Sequence, residues 1–138
     1  MLMETVSISL PEQASARVKH GAALLKRALV GVGYAVEERA PWTASSFRKQ
    51  SGVKIVLGAR DHSSFIQELE KRELLLYHTA PPEGEGFYLT RLPGSLYVVA
   101  GGGDTGVLYG CQELAALVKE RGRLPDDLAY SDKPQMKL

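Results

Sequence analysis

A glycine-rich segment at residues 101–106 is the strongest candidate for chemistry in this chain. It reads Gly-Gly-Gly-Asp-Thr-Gly and so has the spacing G-x-G-x-x-G, between a strand-like run at 95–100 and a helix-like run at 107–119. In that layout, backbone amides and a helix N-terminus can cradle the pyrophosphate of a dinucleotide. The segment therefore allows two functions: a cofactor site, or a hinge at which a helix packs closely on a sheet.

The residues that follow this segment favour the hinge. A dinucleotide site needs an acidic residue about twenty positions further on, at the end of the next strand, to hold the ribose. Asp126 and Asp127 fall at that distance, but they lie in a loop next to Pro125. Gly106 and Gly110 are four residues apart, so they share one helix face and leave no side chain where the helix crosses the sheet.

The other reactive side chains form no recognisable catalytic or metal-binding set. The sequence has no G-x-S-x-G motif, and its histidines have no H-x-x-x-H spacing (His20, His62 and His78). Asp61 precedes His62, but adjacent residues at a helix start point in different directions, which argues against an acid–base pair. The lone Cys111 excludes an intrachain disulfide and is expected to be a small buried hydrophobe. We expect no metal site, no cofactor and no catalytic residue.

The hydrophobic pattern predicts the elements that position the glycine segment. Alternation over residues 5–10 predicts a half-buried strand. An amphipathic helix then begins at Pro11 and ends at Gly31, with Ser9 and Glu12 at capping-box spacing. Further strands are predicted at 34–38, 53–58, 87–92 and 95–100, and further helices at 62–72 and 107–119. Asp104 is expected to cap the last helix through its carboxylate.

This order of elements predicts an α/β (α+β) fold. Residues 87–92 and 95–100 flank Pro93-Gly94, the pattern of a hairpin with a two-residue turn. We therefore expect a mixed, largely antiparallel sheet with two main helices packed on one face. Residues 1–130 are expected to form a single domain, followed by an extended tail at 131–138.

Composition and charge exclude several classes of protein. Lys and Arg number 17 and Asp and Glu number 16, and the cations are scattered, unlike the footprint of a nucleic-acid-binding protein. No run of about eighteen apolar residues could span a bilayer. The N-terminus lacks a basic segment followed by an apolar core, so no signal peptide is visible. We expect no nucleic acid and no membrane as partner, and a cytoplasmic location if Met1 is the natural start.

A longer motif around the glycine segment resembles a known group of enzymes. Residues 85–89 (E-G-F-Y-L) and 101–110 (G-G-G-D-T-G-V-L-Y-G) resemble the pattern E-G-[FY]-x-[IL] followed by G-x-D-x-x-G-x-[LF]-Y-G. This pattern belongs to the small α/β domain in front of the catalytic barrel of α-glucuronidases, β-N-acetylhexosaminidases and O-GlcNAc hydrolases. The resemblance extends more loosely over most of the chain. Its end, 132–137, resembles the segment that leads into the first barrel strand.

The resemblance implies a structural motif instead of an active site. In those enzymes the acids that cleave the glycosidic bond lie on the barrel, so no catalytic residue transfers to this chain. Gly86, Asp104, Gly106, Tyr109 and Gly110 are expected to form a structural motif. The implied function is a non-catalytic accessory domain of a glycoside hydrolase, packed against the catalytic barrel of the same polypeptide. Such docking predicts an exposed apolar patch.

A second function stays open at this stage. The chain could be a stand-alone nucleotide- or sugar-binding module that uses the turn at 101–106, which predicts a concave pocket with free backbone amides. The expected partner is the catalytic barrel, and carbohydrate is a further candidate ligand. Trp42, in a polar loop, is the aromatic residue that we single out for carbohydrate contact.

Overall fold

A computed structural model describes residues 4–39, 42, 52–75 and 82–132. In chain order the elements are β1 (Thr5–Ser9), α1 (Ala16–Gly31), β2 (Ala35–Arg39), β3 (Val53–Ala59), α2 (Ser64–Lys71), β4 (Phe87–Leu92), β5 (Leu96–Gly101), α3 (Asp104–Arg121) and β6 (Ala129–Asp132). Every strand and helix predicted from the hydrophobic pattern is present, and the differences lie at the boundaries and at the chain's last strand. None of the helices in the described ranges is long and apolar enough to cross a membrane.

The described strands form one mixed sheet in the order β2-β1-β3-β5-β4-β6. The pairs β1·β2, β1·β3 and β3·β5 are parallel, whereas β4·β5 and β4·β6 are antiparallel. The predicted α/β class and mixed sheet are confirmed. The expected predominance of antiparallel pairing is wrong, because α1 acts as a crossover between neighbouring parallel strands and the predicted hairpin supplies a single antiparallel pair.

Two hydrophobic layers lie on opposite faces of this sheet. On one face α1 and α3 pack over strand residues such as Ile55 and Val99, which are fully buried. On the other face the shorter α2 packs over residues such as Val98. The prediction of two main helices on one face is confirmed. The central strands β3 and β5 are thus covered on both sides, as parallel strands require, whereas the edge strand β2 is largely exposed.

The first helix starts later than its apolar spacing predicts. Ser15 is the N-cap, and its Oγ accepts a hydrogen bond from the Val18 amide at 3.3 Å. The predicted capping box of Ser9 and Glu12 is therefore wrong. Ser9 ends β1 and is buried, and its Oγ accepts from the Trp42 amide at 3.3 Å. Residues before Ser15 form a loop at the end of β1.

The hairpin and the last strand also differ from the predictions. Leu92 pairs with Leu96, so the loop has three residues, with Gly94 at φ +87° and Ser95 at φ +59°. β6 pairs antiparallel with β4, so the sheet includes the first two residues of the expected tail. The remaining tail residues, 133–138, lie outside the described residues.

Candidate functional site: the glycine turn and the cleft beside it

The glycine turn lies at one edge of the sheet. β1, β3 and β5 run parallel, so their C-terminal ends lie at the same edge of the sheet. We call this the carboxyl edge; the strands end there at Ser9, Ala59 and Gly101. The chain turns there at Gly102 and Gly103 and enters α3 at Asp104. The β1–α1 and β3–α2 loops start from the same edge.

Backbone atoms of the loop at 83–86 pack closely against the glycine turn. A Cβ on Gly102 would lie 2.3 Å from the carbonyl carbon of Glu83, and one on Gly106 would lie 2.3 Å from the Gly86 carbonyl oxygen. Neither glycine has a positive φ. These positions therefore require glycine because the loop at 83–86 crosses the turn closely, and not because of an unusual backbone conformation.

One hydrogen bond joins the glycine turn to the loop at 83–86, and another joins the end of β5 to the residue after β3. The Gly102 amide donates to the Gly86 carbonyl at 2.9 Å, and the Gly101 carbonyl accepts from the Arg60 amide at 2.8 Å. A dinucleotide pyrophosphate would need backbone amides and open space at this turn. Here the protein's own loop contacts the turn and engages the Gly102 amide.

The start of α3 continues this close packing onto the sheet. A Cβ on Gly110 would lie 2.7 Å from Val99 Cγ1 and 3.3 Å from Phe87 Cβ, while Tyr109 packs partly buried against the same core. Asp104 is the first helical residue and not the cap: the N-cap is Gly103, and no side chain caps the helix there. The carboxylate still carries its negative charge at the helix N-terminus, where the helix dipole favours it.

An open cleft of about 350 Å³ lies next to the turn. It is lined by Asp104 and by residues of the loops that follow β1 and β3 (Pro11, Glu12, Gln13, Ala14, Ser15, Ala59 and His62). The two loops lead to helices on opposite faces of the sheet. In open α/β sheets this switch of direction, at the carboxyl ends of the strands, is a common position for ligands.

The polar side chains around the cleft form hydrogen bonds or exposed pairs that do not resemble a catalytic acid–base arrangement. Glu12 accepts a hydrogen bond from Ser64, and the Arg17 guanidinium donates to Thr105 Oγ1 at 2.7 Å. His62 Nε2 lies 3.5 Å from an Asp61 carboxylate oxygen, but both side chains are more than 60% exposed, where water weakens such a pair. Across the described ranges, no three His, Cys, Asp or Glu side chains cluster as metal ligands.

Two residues considered from the sequence are buried. Trp42 is 5% exposed, and its ring meets the Phe65 ring edge-on at 6.4 Å between centroids, so little of the indole face is available to a sugar. Cys111 is fully buried, as predicted, and burial raises the pKa of its thiol to about 12. A thiol with so high a pKa is not a nucleophile at neutral pH. His78 lies outside the described residues.

The apolar docking patch expected from the sequence is not found in the part of the chain that the structure describes. The large hydrophobic residues exposed there are Val30, at 52%, and Leu74, at 43%. Val30 lies near the end of α1 and Leu74 follows α2, so the two belong to opposite faces. The binding-module alternative predicts a pocket at the turn itself, whereas the cleft lies beside the turn and is lined mainly by two separate loops. The sequence places Gly86 in the structural motif but does not predict that the loop at 83–86 crosses the turn.

These features describe a small mixed α/β domain in which the backbone of the loop at 83–86 packs against the glycine turn. No protein-family model and no curated protein sequence matches the chain. Solved structures do match. A GH138 enzyme targeting pectin rhamnogalacturonan II matches with a TM-score of 0.65 and 24% identity, over 97% of this chain and 16% of that chain.

Two further structures share the fold. A GH115 4-O-methyl-α-glucuronidase with specificity for decorated arabinogalactans gives a TM-score of 0.57 and 20% identity, over 85% of this chain and 14% of that chain. CpGH84D gives a TM-score of 0.61 and 13% identity, over 94% of this chain and 19% of that chain. The predicted resemblance to a small α/β domain of glycoside hydrolases is thus confirmed at the level of the fold. The chain spans less than a fifth of each of these proteins.

Proposed function

We propose that this chain is a non-catalytic accessory domain of a larger glycoside hydrolase and that it packs against the catalytic barrel of the same polypeptide. The observation that carries the proposal is the unequal coverage: nearly the whole chain matches, but only 16% of the GH138 enzyme. The parent protein would hydrolyse O-glycosyl bonds. One matched enzyme targets pectin rhamnogalacturonan II and another is a 4-O-methyl-α-glucuronidase, so glycans that carry uronic acids are the first substrates to test on the parent.

The geometry of the glycine turn supports a structural role. Gly86, Gly106 and Gly110 permit contacts of backbone with backbone and of helix with sheet. Together with Asp104 and Tyr109 they form the proposed structural motif, and none is assigned a catalytic role. The last described residue, Asp132, pairs with Phe87 beside the carboxyl edge.

The reading frame around this sequence tests the proposal directly. We expect it to continue downstream for several hundred residues with the alternating strands and helices of a barrel. A stop codon directly after Leu138 in the native gene would contradict the proposal. As a biochemical control, the purified 138-residue chain should release no product from aryl glycosides, whereas the extended protein should.

The cleft supports one alternative, a small-molecule binding module. Its volume of about 350 Å³ lies at the lower end of ligand pockets, roughly 300–1,000 Å³. The ligand would contact Asp104, Glu12 and His62 instead of the amides of the turn. Calorimetric titration with NAD, ATP and neutral, acetylated and acidic sugars tests it. Absence of heat with all of them would remove this alternative.

A further inference from the structure

The outer face of α1 carries basic side chains and no acidic ones. The helix contains Arg17, Lys19, His20, Lys26 and Arg27 but neither Asp nor Glu, and all five side chains are exposed. By contrast, α2 and α3 mix acidic and basic residues along their length. The near-zero net charge of the whole chain thus conceals a local concentration of positive charge on one helix.

These residues repeat along the helix with a period of seven. Lys19 and Lys26 form one row, and His20 and Arg27 form a second. Between the rows lie smaller exposed residues with the same spacing (Ala16, Ala23 and Val30). Residues seven apart sit nearly above one another, roughly 10 Å apart along the axis. The surface is therefore a shallow strip with a basic row on each side, which we call the basic face of α1.

Acidic partners within the described residues do not neutralise this face. The Arg17 guanidinium donates to the Thr105 hydroxyl at 2.7 Å, while ion pairs joining the basic face to carboxylates are absent from the described ranges. The neighbouring strand β2 carries Glu37 and Glu38, of which Glu37 pairs with Arg39 at 2.6 Å. The basic rows are thus available to an external carboxylate.

We propose that the basic face of α1 docks an amphipathic α-helix of another protein segment, with acidic residues in its flanking rows. A partner helix repeats its side chains over the same two turns, so one register can bring acidic side chains to Lys19 and Lys26 in one row and to Arg27 in the other, with His20 counted as neutral at pH 7. The small residues between the rows let the two helix axes approach to the usual packing distance. Complementary charge then sets orientation and register. A flexible polyanion would complement the positive charge of the basic face of α1 but would not repeat its own charges with the seven-residue spacing of a helix.

The test titrates the 138-residue chain with a synthetic helical peptide of several heptads, with Ala and Leu along one line and Glu in both flanking rows. Calorimetry should show one binding site whose affinity falls as the salt concentration rises. The variant Lys19→Glu/Lys26→Glu/Arg27→Glu should bind about tenfold more weakly or worse, because three favourable pairs become repulsive. The matched control Lys71→Glu/Arg72→Glu/Arg123→Glu changes the net charge equally at exposed sites outside α1 and should bind like the unmodified chain.

Circular dichroism should show that both variants are folded. The variant Lys19→Gln/Lys26→Gln is a milder change that should weaken binding by a smaller factor. Four results would each overturn the proposal. They are absence of binding, equal loss in the control variant, equal affinity for a peptide whose Glu residues are scrambled around the helix, and equal affinity for polygalacturonate, duplex DNA or anionic vesicles. The result does not depend on whether the parent protein is a glycoside hydrolase.

Discussion

Substitution of Gly110 tests whether close contact of α3 with the sheet stabilises this domain. The first added carbon would lie 2.7 Å from Val99 Cγ1 and 3.3 Å from Phe87 Cβ, inside a fully buried core. Overpacking of this kind costs about 1–3 kcal/mol. Because Ala is favoured over Gly within a helix by about 1 kcal/mol, Gly110→Ala should lose only about 0–2 kcal/mol. Gly110→Leu should lose about 3 kcal/mol or more.

The expected change in melting temperature follows from the size of the chain. Unfolding entropy near ~2.1 cal/mol/K per residue, over 138 residues, gives ~0.3 kcal/mol/K. A loss of ~3 kcal/mol therefore lowers Tm by about 10 °C, which differential scanning calorimetry measures easily. Gly31→Leu is the matched control, because Gly31 is also helical and a Cβ there meets no atom within 4 Å. It should leave Tm unchanged or raise it slightly.

A double-mutant cycle identifies the contact responsible. Val99→Ala alone should cost roughly 2 kcal/mol through the cavity that it leaves. In the Gly110→Ala background the same change should cost less, since the added methyl group occupies part of that space. If Gly110→Leu melts like the unmodified chain, or if the two changes are strictly additive, the close helix–sheet contact does not stabilise the fold.

Three further predictions concern other buried contacts. Gly106→Ala should destabilise more than Gly110→Ala, because its methyl group meets the Gly86 backbone oxygen at 2.3 Å instead of a movable side chain; equal melting temperatures would contradict this. The Cys111 thiol should resist Ellman's reagent at pH 8 until the chain is unfolded. Since burial raises its pKa from 9.0 to about 12, its contribution to stability is complete below pH 9.0 and is lost as the pH rises towards 12, and Cys111→Ala should reduce that alkaline loss. Tyr97→Phe should cost about 1–3 kcal/mol in denaturant unfolding, because the Tyr97 hydroxyl donates to the Pro125 carbonyl at 2.7 Å in a buried position; an unchanged midpoint would show that water replaces this bond.

The helices and strands that could be predicted are determined by residues close to one another in the sequence. Alternating residues in β1 and the three-to-four spacing in α1 report which side of each element is buried, and this information lies within a few residues. The start of α1 was misplaced because Ala14 continues the apolar spacing, although Ser15 provides the cap. β6 was missed because it has four residues and is defined by its pairing with β4 more than by its own sequence.

The candidate site shows the same division between local and distant causes. The face shared by Gly106 and Gly110 follows from helix geometry alone. The loop that crosses Gly102 comes from residues about twenty positions earlier, and nothing in the composition of that loop indicates the contact. The cleft is assembled from two loops and a helix start, so it exists only once β1, β3 and β5 are side by side.

The strand order also divides the molecule into two halves that are each continuous in sequence. Strands β1 to β3 pair among themselves, as do β4 to β6, and the β3·β5 ladder joins the two sets. In the helix layer the halves meet where α1 contacts α3, and a Cβ on Gly21 would lie 3.1 Å from Cys111 Cβ. Transient separation of the halves would expose the Cys111 thiol to solvent. Its slow rate of chemical modification under native conditions therefore reports openings, local or global, that separate α1 from α3.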